Sequence, residues 1–67
     1  MKTENIGIDA GIIWHEINAS GNMSIKQIKK GTKMDLNRIY LALGWLARED
    51  KIIFDTIDDE LSVILIY

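Results

Sequence analysis

"LNRIYLALGWLAREDKIIFDTI", residues 36–57, changes its period half-way, and that change decides the fold. Up to Glu49 the apolar residues Leu36, Ile39, Tyr40, Leu43, Leu46 and Ala47 recur at three- and four-residue spacing, which gathers them on one side of a helix over about 36–49. Asp35 supplies a carboxylate where such a helix needs its N-terminal cap. After Asp50 the residues become β-branched and aromatic, first in "KIIFDTI" and then, beyond "DDE" at 58–60, in "LSVILIY". Two such runs joined by a short acidic turn predict a β-hairpin, although the turn lacks the glycine that favours tight reversal.

Upstream, Ala10, Ile13, Trp14 and Ile17 form the stripe of a helix over about 6–20. "SGN" at 20–22 ends it, with Gly21 suited to a left-handed cap. Ser24 and Gln27 have the spacing of a capping box. Ile25 and Ile28 then give a short second helix its buried side, with Gly31 as its expected end. Met23–Ser24 can form a two-residue strand against the hairpin. Three helices followed by a hairpin are the element order of an α+β winged helix-turn-helix, here one domain over 1–67.

At 67 residues the chain can bury only a modest core, and the usual reinforcements are missing. It has no cysteine, which excludes disulfides and thiolate metal sites, and His15 is its only histidine. No signal-peptide pattern opens the chain, and the longest apolar run, "VILIY" at 63–67, is too short to span a bilayer. A soluble, cytoplasmic protein is expected, without linker, repeat, bound cofactor or small-molecule ligand. Phosphate-binding loops, paired catalytic carboxylates and nucleophile motifs are absent from the sequence, so no enzyme is expected. His15, off the helical stripe, reads as a solvated side chain. Gly11 and Gly44, inside helices, read as points of close helix packing.

The net charge of −2 hides an uneven distribution. Lys26, Lys29, Lys30, Lys33, Arg38, Arg48 and Lys51 fall between residues 26 and 51 with only Asp35, Glu49 and Asp50 among them. The acids Asp55, Asp58, Asp59 and Glu60 crowd into the hairpin.

"AGIIWHEIN" (10–18), "MSIKQIKK" (23–30) and "LALGWLAREDKI" (41–52) together resemble a small bacterial family of stand-alone winged helix-turn-helix proteins of unestablished function. The likeness covers nearly the whole chain and is most specific at "ALGWLARE". It implies the fold and a regulator of nucleic acid. This chain departs from the family pattern at Asp50, where a glycine commonly ends the third helix.

Two functional expectations follow. In the first, a transcription-regulator-like protein binds double-stranded DNA weakly. Lys26, Lys29, Lys30 and Lys33 meet phosphates, while Asn37 and Arg38 reach base edges. The acidic hairpin, like-charged with phosphate, stays out of that contact. In the second, the same fold serves homodimerisation or another protein contact. Leu41 and Trp45, opposite the core stripe and without hydrogen-bonding chemistry for bases, form one surface. The second surface is the outer face of the hairpin, where Ile53, Ile64 and Ile66 break the apolar–polar alternation of a one-sided sheet; Leu61, Val63, Leu65 and Tyr67 are assigned to the core and Ser62 to the outer face. A homodimer built on that outer face is expected in either case.

Overall fold

Six elements follow one another in the computed structural model, which describes residues 2–66. They are α1 (Thr3–Ser20), β1 (Met23–Ser24), α2 (Ile25–Thr32), α3 (Leu36–Arg48), β2 (Ile52–Ile57) and β3 (Glu60–Leu65). The strands form one antiparallel sheet in the order β1-β3-β2. Val63 is its hub, paired with Met23 on one side and Phe54 on the other. Ile13 and Ile17 of α1, Ile28 of α2, Ile39 and Leu43 of α3 and Val63 are the largest fully buried side chains, so the core lies between the helices and the base of the hairpin.

Local chemistry accounts for the boundaries. The Ser24 hydroxyl accepts from the Gln27 amide and the Gln27 side chain accepts from the Ser24 amide, a complete capping box at the start of α2. Asp35 accepts from the Arg38 amide and caps α3. The hairpin reverses through Asp58 and Asp59, both left-handed (φ 52° and 63°), the backbone of a two-residue primed turn. Aspartate tolerates that conformation better than most residues, which is how the turn forms without glycine.

Several expectations are corrected. α1 begins at Thr3, three residues before the start read from its stripe. α2 passes Gly31 and ends at Thr32, whose hydroxyl donates to the Ile28 carbonyl and accepts from the Met34 amide, while Lys33 takes the left-handed cap. Gly31 instead marks a close approach: a Cβ there would run into the Glu16 carboxylate of α1. Gly11 and Gly44 are not packing points, since a Cβ at either would meet nothing within 4 Å. Leu36 and Tyr40 leave the core stripe and Ala42 enters it. Leu61 is exposed because it lines a shallow open groove with Leu36 and Tyr40 instead of packing into the core, and Ser62 is buried where β1 pairs along that part of β3. Tyr67, also assigned to the core, lies outside the described residues.

Candidate nucleic-acid and protein interface

The helix-turn-helix presents two chemically different surfaces. On α2 the isoleucines turn inward and Lys26, Lys29 and Lys30 remain exposed, with Lys33 exposed just beyond. Lys26 is drawn toward the wing, its Nζ 3.4 Å from Glu60 Oε1. Lys29, Lys30 and Lys33 form no ion pair among the described residues, so three ammonium groups are available to an anion. Asn37, in the first turn of α3, is exposed as well.

Arg38 is held differently from the way its sequence position suggests. Its Nε donates to Asp9 Oδ2 at 3.0 Å and its Nη2 to Asp9 Oδ1 at 2.7 Å, a two-point contact that ties α3 to α1. The Asp9 side chain is only 3% exposed, so the guanidinium supplies the partner that a buried carboxylate requires. Hydrogen bonds from Arg38 hold the Asp9 carboxyl below its ordinary pKa against the opposing effect of burial, and their mutual charge adds to this. The same contact raises Arg38. Reading guanine with this arginine requires that pair to open. Asp9 carries no signal for this role in the sequence, because its partner lies 29 residues away.

The outward side of α3 is more apolar than its sequence stripe implies. Leu36, Tyr40, Leu41 and Trp45 are between 39 and 50% exposed, and Gly44 lies beside them. The Trp45 ring also packs across to α1, where a Cβ on Gly7 would lie 3.7 Å from Trp45 Cζ2. Trp45 is therefore part interhelical packing and part surface. Leu36 and Tyr40 border a shallow groove closed by Lys26, Glu60 and Leu61.

On the wing, Ile53 pairs with Ile64, which places Ile53, Ile64 and Ile66 on one face as the alternation requires. Ile53 and Ile66 are exposed and Ile64 is half-buried; Ile57, missed in the sequence reading, shares that face. The wing tip holds Asp58, Asp59 and Glu60. His15 is exposed, its ring edge-on to Trp14 at 5.3 Å. Among the described residues no cluster of His, Asp or Glu could hold a metal ion, and no helix is long and apolar enough to cross a membrane.

A capped helix-turn-helix followed by a two-stranded wing defines a winged helix domain. Residues 1–65 match the winged helix-turn-helix domain family DUF2582, and the chain belongs to it. It is similar to the uncharacterized protein MJ1608 of Methanocaldococcus jannaschii, with 44% identity over 62 residues covering 88% of this chain and 86% of the relative. It also resembles the solution NMR structure of protein BT2368 from Bacteroides thetaiotaomicron: the TM-score is 0.85 at 28% identity, covering 97% of this chain and 79% of the other. One of these relatives is archaeal, so the likeness is wider than the bacterial family expected from the sequence.

Proposed function

We propose that this winged helix protein is a non-enzymatic, DNA-associated regulatory module that holds duplex DNA by its phosphates and reads little sequence. The observation that carries this reading is the exposed trio Lys29, Lys30 and Lys33 on α2 and at its C-terminal cap, free of ion pairs among the described residues, with Asn37 exposed in the first turn of α3. Phosphate contacts orient a protein on DNA without conveying base identity. Base readout on α3 is left to Asn37, because Arg38 is engaged by Asp9 and the rest of the outward face is largely apolar. The acidic wing tip keeps the hairpin off the backbone, so the duplex meets the α2 side.

The test is fluorescence anisotropy with a random-sequence duplex over a series of salt concentrations. The expected result is weak binding, steep in salt and indifferent to sequence. Binding that persists unchanged from low to physiological salt, or the complete absence of binding at low salt, refutes the reading.

The exposure of Tyr40, Leu41 and Trp45 favours a second reading, in which the outward face of α3 meets a protein. In that case substitutions on α3, and not on α2, govern association.

A further inference from the structure

We infer that β2 is the seam of a two-fold homodimer in which the β2 strands of two copies pair antiparallel and join their sheets into one of six strands. This goes beyond the DNA reading and does not depend on it.

In the order β1-β3-β2, strand β2 has β3 on one side and no strand on the other among the described residues. It pairs with β3 in continuous register from Ile52 to Ile57, with no bulge to twist its outer edge away. Proline and lysine, the residues that commonly guard an edge, are absent from "IIFDTI". Its exposed side chains include Ile53 (48%), Phe54 (43%) and Ile57 (45%), on both faces of the sheet. An apolar strand with an open edge is a template for pairing with a like strand.

Charge selects a second copy as the occupant and sets its direction. At the base of the ribbon Lys51 and the neighbouring Arg48 are balanced by Glu49 and Asp50, whereas the tip is acidic, with Asp58 and Asp59. Neither tip aspartate forms an ion pair among the described residues. Antiparallel pairing keeps the two acidic tips apart and brings each beside the partner's balanced base, where Lys51 stands. Parallel pairing would set like against like.

Register follows from geometry. Opposed residues in an antiparallel pair share a face, so a two-fold axis must pass through a residue and not between two. The two central choices in Ile52–Ile57 are Phe54 and Asp55. An axis at Phe54 sets Ile53 against the partner's Asp55. An axis at Asp55 sets Ile53 against the partner's Ile57 and Lys51 against the partner's Asp59, each twice. The second register gains two apolar pairs and two ion pairs at the cost of one Asp55–Asp55 opposition and of Asp50 facing the partner's Glu60 twice. The first sets Asp50 against the partner's Asp58 and Glu49 against the partner's Asp59, so the second is the one proposed. The outer faces of both hairpins then run together, which shelters the Ile53 and Ile57 side chains.

Sedimentation equilibrium of the full chain tests the dimer, with Ile57→Lys and Asp55→Asn beside the parent. The parent should sediment as a dimer. Ile57→Lys should sediment as a folded monomer, with helical circular dichroism retained. Asp55→Asn should tighten the dimer by about 2–5-fold, because like charges directly opposite are relieved. Since the chain has no cysteine, a single one at position 55 gives an independent readout. Asp55→Cys should form a disulfide-linked dimer on mild oxidation, the two Cα atoms being within bridging distance across such a pair, whereas Asn18→Cys on α1 should not. A parent that is monomeric at several hundred micromolar overturns the inference. So does a dimer that survives Ile57→Lys and fails to cross-link at position 55, which would place the contact on another face such as α3.

Discussion

α2 and α3 are successive helices of one motif, yet they meet solvent with opposite chemistry. α2 buries Ile25 and Ile28 and exposes lysines, so its inward and outward sides are distinct. α3 buries Ile39, Ala42, Leu43 and Leu46 and still exposes Leu36, Tyr40, Leu41 and Trp45. In a winged helix that reads sequence, the third helix carries hydrogen-bonding side chains into the major groove. Here the capacity for an anion sits on α2, while α3 offers an apolar surface. The fold is that of a winged helix, but what its third helix can contact has to be judged residue by residue.

The sharpest way to break this contrast is to exchange the expected effects of the two helices. Replacing Lys29, Lys30 and Lys33 together by Gln should lower affinity for random duplex roughly a hundredfold at low salt and flatten the log–log salt slope by about 3. Leu41→Ser should leave that slope unchanged. If Leu41→Ser abolishes duplex binding and the lysine variant does not, α3 is the DNA surface.

Trp45 sharpens the comparison from within α3, because its ring both faces solvent and packs toward Gly7. Trp45→Ala should destabilise the domain by about 2 kcal/mol, less than a fully buried tryptophan, and lower the thermal midpoint by about 10 °C. Duplex binding by the folded variant should be unaffected. Full thermal stability after this change would show that the ring belongs wholly to a partner surface.

The Asp9–Arg38 contact separates the arginine of α3 from the lysines of α2 by pH. With Asp9 lowered in the folded state, its contribution is fully present above the ordinary carboxylate range and is lost as pH falls through the lowered value. Asp9→Asn should lower the thermal midpoint by about 5 °C at neutral pH, and the gap from the parent should narrow once the pH drops below about 4. Thermal unfolding followed by circular dichroism across that range measures it. A gap that stays constant with pH would mean that the pair contributes no charge-dependent stability.

The architecture was legible because it is written in local signals. The capping box at Ser24 and Gln27, the cap at Asp35 and the change of period after Asp50 each act within a few residues, and each is present in the fold. What misled was tertiary. Leu36 and Tyr40 match a helical stripe and Leu61 matches the core face of its strand, but the three line a shallow groove that stays open to solvent. Ser62 is buried by the two-residue strand beside it. The Asp9–Arg38 pair could not be read at all, since attraction between residues 29 apart leaves no periodic trace. The lysine cluster was visible in the sequence, whereas the withdrawal of Arg38 from that surface was not.

The smallest expected effect compares how the two helices end. α2 stops at Lys33 (φ 60°), whose amide donates to the Lys29 carbonyl in a single-bond left-handed cap. α3 stops in the fuller two-bond form, the Asp50 amide donating to the Ala47 carbonyl and the Lys51 amide to the Leu46 carbonyl, with Asp50 at φ 57°. Both positions favour glycine, and both carry a residue that strains there. Asp50→Gly, which restores the residue expected at this point, should stabilise the domain by about 1 kcal/mol or less and raise the thermal midpoint by a few degrees, roughly 4 °C. It should leave the salt slope of duplex binding untouched. Lys33→Gly should give a similar thermal gain but flatten the slope by about 1, because the same change removes a phosphate contact. If both variants gain stability and neither moves the slope, Lys33 serves only to end α2. The basic surface then reduces to the helix proper.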